Sequence, residues 1–237
     1  MKIGIVGSQG FFGKTLCETS KELGFDVVEI TKKNYSENKG KRYEVLINSA
    51  TNSKKYWALN NPFLDFNKTV DLTADLVYNW NFDKFVQISS ISAHEYDSGH
   101  PYTVNKRTAE IICSYTNSLI VRLGTPYGNY LNKGALYDLL NSNKIFVNIN
   151  SEYDFISTNF CAKWILKNLD RKGIVELGAS DTLSLMDIAN KLNLKPEYEG
   201  KKIIIHSDRI EENMPNVKEV WSFIDEQMRK IKNKKFF

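Results

Sequence analysis

Residues 3–6 (Ile-Gly-Ile-Val) run directly into Gly7-Ser-Gln-Gly-Phe-Phe-Gly13, and a helical apolar pattern starts at once. Strand, glycine turn and helix in that order open a dinucleotide-binding unit. The turn aims backbone N–H groups and the positive end of the helix at a pyrophosphate. Gly7 makes the tight turn, Gly10 lets the backbone approach the phosphates, and Gly13 lets the helix pack on the strand. Gln9, Phe11 and Phe12 complete this candidate cofactor segment. The spacing is G-x-x-G-x-x-G rather than G-x-G-x-x-G, so its place between strand and helix carries more weight than the motif. Gly13-Lys14-Thr15 is similar to the end of a P-loop, but Ser8 stands where that motif has its first glycine.

The rest of the chain alternates. Residues 2–6, 26–30, 44–48, 84–89, 118–123, 144–148, 174–177 and 202–206 read as strands. Helical patterns fall at 11–23, 62–80, 102–115, 135–141, 158–169, 184–192 and 216–232. Such alternation predicts an α/β fold, a Rossmann-type doubly wound parallel sheet with a small C-terminal substrate-binding part. The polar stretch 31–43 has no room for a crossover helix and a further strand, so the sheet is expected to lack one unit on that side. At 237 residues and 42% hydrophobic content the chain suits a single α/β domain. Residues 1–148 are expected to be mainly dinucleotide-binding, and 149–237 to hold mainly substrate-side elements and the C-terminal helix.

Other classes fare worse. A net charge of +4, from 32 basic and 28 acidic residues, is too weak a bias to imply nucleic acid. Lys230, Lys232, Lys234 and Lys235 read as a helix C-terminus placed favourably on its dipole. No apolar stretch approaches the ~20 residues of a membrane span, and Lys2 leads straight into the first strand, so no signal peptide is read and a cytoplasmic protein is expected. Cys17, Cys113 and Cys161 are widely spaced in apolar patterns, which suits reduced core thiols rather than a disulfide or metal site.

Two segments specify the chemistry. At the end of the second strand stand Thr31-Lys32-Lys33, a hydroxyl and two cations where an NAD site would place an acid. They favour NADP(H), with NAD(H) the other candidate. After the strand at 84–89 come Ser90 and then Tyr102-Thr-Val-Asn-Lys106. The i,i+4 spacing puts phenol and ammonium on one helical face, where the cation is expected to lower the tyrosine pKa. Ser90 would hydrogen-bond the substrate oxygen, Tyr102 transfer its proton, and Lys106 hold the nicotinamide ribose.

In this order, the segments resemble the extended short-chain dehydrogenase/reductase superfamily, the NAD-dependent epimerase/dehydratase group of sugar-nucleotide enzymes, and its dTDP-4-dehydrorhamnose reductase-like members in particular. The resemblance rests on Gly7–Gly13, Val45-Leu-Ile-Asn-Ser-Ala50, Asn67, Ile88-Ser-Ser90, Tyr102 to Lys106, and Arg122-Leu-Gly-Thr-Pro-Tyr-Gly128. Tyr153-Asp-Phe-Ile156, Glu176-Leu-Gly178 and a helix capped by Ser184 look like substrate-side elements.

The resemblance implies cofactor contacts at Ser49, Ala50, Thr51, Asn67, Gly124 and Thr125, besides Tyr102 and Lys106, and substrate contacts at Ser90, Ser92 and Tyr127. It also implies hydride transfer between nicotinamide and a sugar carbon. Ile91-Ser92 stand where the family's dehydratases carry acids and its epimerase-reductases a cysteine, which leaves ketone reduction or 4-epimerisation. The cationic Thr31-Lys32-Lys33 favours an NADP(H)-dependent reductase of a keto nucleotide sugar, with an NAD-dependent 4-epimerase or a non-catalytic dinucleotide-binding regulator as alternatives. The helices at 62–80 and 102–115 correspond to the family's dimer interface, so a homodimer is expected. His94 and His100, between Ser90 and Tyr102, are candidates for the substrate cleft or for a solvated loop.

Overall fold

The structure, a computed structural model, describes residues 1–94 and 99–234. Lys235, one of the tail lysines, lies outside the described residues. In chain order the first elements are β1 (Lys2–Val6), α1 (Phe11–Glu22), β2 (Asp26–Ile30), α2 (Tyr35–Asn38), β3 (Arg42–Asn48), α3 (Lys55–Asn60) and α4 (Pro62–Phe66). A π-helical turn (Asn67–Asp71) joins α4 to α5 (Leu72–Asn79). Then come β4 (Asn81–Ser90), a 3₁₀ turn (Ile91–His94), α6 (Pro101–Cys113), β5 (Ser118–Leu123), β6 (Thr125–Tyr127), α7 (Ala135–Leu140), β7 (Glu152–Tyr153), β8 (Phe155–Ser157) and α8 (Thr158–Lys167). The chain closes with β9 (Gly173–Leu177), β10 (Leu183–Ser184), α9 (Leu185–Leu192), β11 (Ile204–Ile205), a 3₁₀ turn (Val217–Glu219) and α10 (Val220–Lys234).

These elements form two compact units, residues 1–123 with 159–175, and 124–158 with 176–237. The first holds the large sheet, in the order β2-β1-β3-β4-β5-β9. The pairings among its first five strands are all parallel, with Val6 level with both Ile30 and Asn48. Buried runs such as all six residues of β5 are what helices on both faces of a parallel sheet require. The expected gap is present. Between β2 and β3 there is only the one-turn α2, so β2 is the sheet edge and β3 pairs on the far side of β1. The Rossmann-type reading therefore holds.

One helix was expected over 62–80. The run is helical throughout but widens into the π turn, where the Thr73 hydroxyl donates to the Thr69 carbonyl at 2.6 Å. The second unit carries a three-stranded sheet (β10-β7-β11) and the parallel pair β6-β8. Its core joins Tyr153, Phe155, Leu185, Ile188, Val220 and Ile224. The strand expected over 144–148 is irregular chain, with a single bridge from Ile145 to Tyr198. The strand expected over 202–206 shortens to β11. The expected cap on α9 is present: Ser184 Oγ accepts from the Asp187 N–H at 3.0 Å, and Asp187 answers with a bond to the Ser184 hydroxyl at 2.6 Å.

Cys17, Cys113 and Cys161 are all buried. Burial pushes the Cys17 thiol up to about 12, so it is inert at neutral pH. Among the described residues, no helix is long and apolar enough to cross a membrane.

Candidate active site

The first unit brings together segments that are far apart in sequence. At the end of β1, Gly7 has φ +81°, a conformation that a side chain disfavours. Its N–H donates to the Ile30 carbonyl at the end of β2, at 2.9 Å, and its carbonyl accepts from Gly10 at 2.8 Å. Ser49, just past β3, donates through both N–H and hydroxyl to the Val6 carbonyl at 3.0 Å. The ends of β1, β2 and β3 thus meet around the glycine turn, with Ser49 and Ala50 beside it.

In the turn, backbone packs directly on backbone and leaves no room for side chains. A Cβ on Gly7 would lie 2.8 Å from the Ala50 backbone, and one on Gly13 would lie 2.1 Å from the Gly7 carbonyl oxygen. The first turn of α1 has no acidic residue and no side-chain cap, which leaves its orphan N–H groups and positive dipole end suited to an anion. Gly13→Ala is expected to cost about 3 kcal/mol, the upper end of overpacking, because the contact is with backbone. Urea unfolding measures it; a variant as stable as wild type would show that the turn can relax.

Beside the turn, Thr31 Oγ1 donates to the Asn34 carboxamide oxygen at 3.1 Å, and Lys32 and Lys33 are exposed. The cations stand where a 2′-phosphate reader was expected, at the end of β2.

The second group sits at the ends of β3 and β4 and on α6. Pro101 opens this helix, and His100 caps it by accepting the Tyr102 N–H on Nδ1 at 3.2 Å. Tyr102, Asn105, Lys106, Ala109 and Glu110 form its buried face. The Tyr102 hydroxyl is hydrogen-bonded to Ser90. Lys106 donates to Thr51 Oγ1 at 2.7 Å, and its ammonium lies 5.4 Å from the Tyr102 ring centre. Ser92, buried, donates its N–H to Ser90 Oγ at 3.3 Å. Ser90, Ser92, Tyr102, Lys106 and Thr51 are therefore assembled by the fold.

One expectation is corrected here. The phenol of Tyr102 is held above its ordinary range, not lowered: burial dominates, the bond to Ser90 opposes it, and the Asp65 charge adds to the rise.

Both histidines are half-buried and engaged with neighbours. His100 caps α6, and the His94 ring lies 3.2 Å from Arg122 Nη1. That arginine forms a buried ion pair with Glu110 at 2.7 Å, and Glu110 also accepts from the Ser89 hydroxyl. Asn67 is half-buried at the start of the π turn. Gly124, Thr125 and Tyr127 belong to the second unit. There the Thr125 N–H donates to Asp154 at 2.9 Å, and the Tyr127 ring packs 5.2 Å from that of Phe223. Sequence reasoning passed over Asp65, Asn52 and Asn105, a buried polar group next to Thr51 and Lys106. The available signal was a carboxylate amid Phe63, Leu64 and Phe66. Among the described residues, no group of three or more histidine, cysteine or acidic side chains is placed to hold a metal ion.

Parallel sheet, glycine turn and the Ser90–Tyr102–Lys106 group define a Rossmann-type fold of the kind that holds a dinucleotide at its strand ends. No protein-family model and no curated protein sequence matches the chain. Solved structures do match along nearly its whole length. A UDP-N-acetylglucosamine 4-epimerase from Methanobrevibacter ruminantium M1, in complex with UDP-N-acetylmuramic acid, superposes with a TM-score of 0.80 at 12% identity over 98% of each chain. MoeE5 in complex with UDP-glucose and NAD gives 0.79 at 14% identity over 99% of each. The UDP-glucuronic acid 4-epimerase from Bacillus cereus, with UDP-glucuronic acid and NAD, gives 0.69 at 17% identity, over 95% of this chain and 93% of that one. At such identities the likeness establishes a shared fold, the one that the sequence resemblance implies.

Proposed function

We propose that the protein is an NAD-dependent 4-epimerase of a nucleotide-activated sugar. The observation that carries this is the buried face of α6, which sets Tyr102 against Ser90 and Lys106 against Thr51 at the ends of β4 and β3. Structures with this fold that hold NAD and UDP sugars support 4-epimerisation over the NADPH-dependent ketone reduction expected from the sequence. The dinucleotide, when bound, supplies a hydride acceptor and donor. The glycine turn leads into the acid-free, uncapped first turn of α1, whose N–H groups suit the pyrophosphate of the dinucleotide.

Tyr102, once ionised, takes the proton from the sugar hydroxyl as phenolate and returns it as phenol after the ring has turned, so one side chain serves as base and then as acid. Ser90 hydrogen-bonds the same oxygen, and Lys106 would orient the nicotinamide ribose. In this reading residues 1–148 mainly serve the dinucleotide and 149–237 mainly the substrate, in a cytoplasmic enzyme.

The test is direct. Purified protein with NAD is incubated separately with UDP-glucose, UDP-galactose and UDP-N-acetylglucosamine, and proton NMR follows the C4 epimer. Binding of NAD without turnover of any sugar would favour a regulatory protein, and NADPH consumption with a 4-keto sugar would restore the reductase. Lys32 and Lys33 favour this last reading. Lys32→Ala then raises KM for NADPH far more than for NADH in steady-state assays; equal effects would remove a 2′-phosphate site.

A homodimer belongs to the same proposal. Phe63, Tyr78, Ile111 and Tyr115 are exposed by 72, 63, 57 and 78% along α4, α5, α6 and its end, more apolar surface than scattered residues explain. Light scattering is expected to give twice the 27.3 kDa chain mass, and a monomer at micromolar concentration refutes it.

A further inference from the structure

Asp65 is fully buried in α4, between exposed neighbours Leu64 and Phe66. Its Oδ1 accepts from Asn52 Nδ2 at 2.6 Å and from the Thr69 hydroxyl at 3.5 Å, and its Oδ2 accepts from Asn105 Nδ2 at 2.8 Å. All three donors are neutral. A buried carboxylate held only by neutral donors is costly next to an apolar side chain of the same size, so the network is not a stability device. Its sequence neighbours are informative. Asn52 follows Thr51, and Asn105 precedes Lys106, while Thr51 and Lys106 are themselves bonded at 2.7 Å. Two adjacent links, Thr51–Lys106 and Asn52–Asp65–Asn105, therefore join the segment after β3 to α6.

We propose that Asp65 is a positioning residue for the Tyr102–Lys106 pair: its carboxylate ties Asn52 to Asn105 and so fixes where Lys106 and Tyr102 stand relative to Thr51. The proposal rests on the reading of Tyr102 as the proton-transfer group. It adds an electrostatic role. The charged or hydrogen-bonding groups that act on Tyr102 are Asp65 from α4, Lys106 from α6 itself and Ser90 from β4. The Asp65 charge adds to the rise of the phenol, which makes Asp65 a brake on its premature ionisation.

Two measurements test it. Hydrogen exchange on the ligand-free protein needs no substrate. In Asp65→Asn, amides of residues 51–54 and the first turns of α6 are expected to exchange about tenfold faster, while those of β1 keep their rates. Unchanged exchange overturns the proposal. The second is the pH profile of kcat for the sugar that the wild type epimerises. The acid limb, set by Tyr102, is expected to move about one pH unit lower in Asp65→Asn, with KM for the sugar unchanged. A lower kcat on an unmoved limb would mean that Asp65 only supports the fold.

Asn105→Ser keeps the carboxylate and cuts one link. It is expected to loosen α6 without moving the limb, and if Asp65→Asn does not fold, unchanged exchange in Asn105→Ser overturns the positioning role. A wild type that turns over no sugar refutes the epimerase reading, and the exchange result still decides the tie.

Discussion

Tyr102→Phe is expected to lower turnover about 10³-fold, within the range of a lost general acid–base group, while dinucleotide binding survives. The substitution removes one oxygen from a buried side chain whose ring packs beneath Lys106, so the fold and the Thr51–Lys106 bond are undisturbed. Calorimetric titration with NAD checks binding, and single-turnover NMR on the nucleotide sugar checks chemistry. Because Ser90 remains, a small residual rate from an oriented sugar oxygen is expected. Turnover within tenfold of wild type would mean that the proton travels by another route and that the phenol only shapes the site. The direction of the Tyr102 shift sharpens the result. A phenol held above its ordinary range is a poor base at neutral pH until a cation approaches it, so wild-type turnover is expected to rise with pH over the range where Tyr102 ionises, and Tyr102→Phe to lose that rise.

The parts of this site legible in the sequence are those fixed by backbone geometry and helical spacing. Gly7 and Gly13 were readable because a close backbone approach leaves no room for a side chain, and Tyr102 and Lys106 because i,i+4 neighbours share a helix face. The absent sheet unit was readable from length alone, since 31–43 cannot hold a crossover. Short strands were not. β6, β7, β8 and β10 have two or three residues each, too few for an alternating pattern, and the apolar run in 144–148 finds no continuous partner.

One buried carboxylate was hidden for a related reason. Asp65 sits in the first turn of a helix, where an acid is normal on the surface, and only tertiary contacts bury it. The Tyr102 shift was misjudged because spacing gives proximity but not burial, and burial is the larger influence.

Asp154 is expected to make the stability of the protein fall as pH rises from about 4 to about 7. Its carboxyl is fully buried in the second unit, where a Cβ on Gly124 would lie 2.3 Å from Oδ2 and one on Gly178 2.2 Å. Oδ1 accepts from the Thr125 N–H at 2.9 Å, and Oδ2 has no hydrogen-bond partner. Burial raises this carboxyl from 3.8 to about 7; the bonds from Thr125 oppose the rise and the nearby Glu176 charge adds to it. Below 3.8 the group is protonated folded and unfolded, and it confers no pH dependence. Between 3.8 and about 7 the unfolded chain releases the proton that the folded chain keeps, so stability declines with each unit of pH, and above 7 the loss is complete.

The raised value corresponds to about 4 kcal/mol over that window. Asp154→Asn keeps the shape and cannot ionise. Its stability relative to wild type, from urea unfolding at pH 4 and pH 8, is expected to improve by about that amount between the two, even if the amide costs something at pH 4 by placing a donor where Oδ2 finds no partner. Parallel pH curves for the two proteins would show that Asp154 ionises as readily folded as unfolded, and that water or a donor reaches Oδ2 in solution.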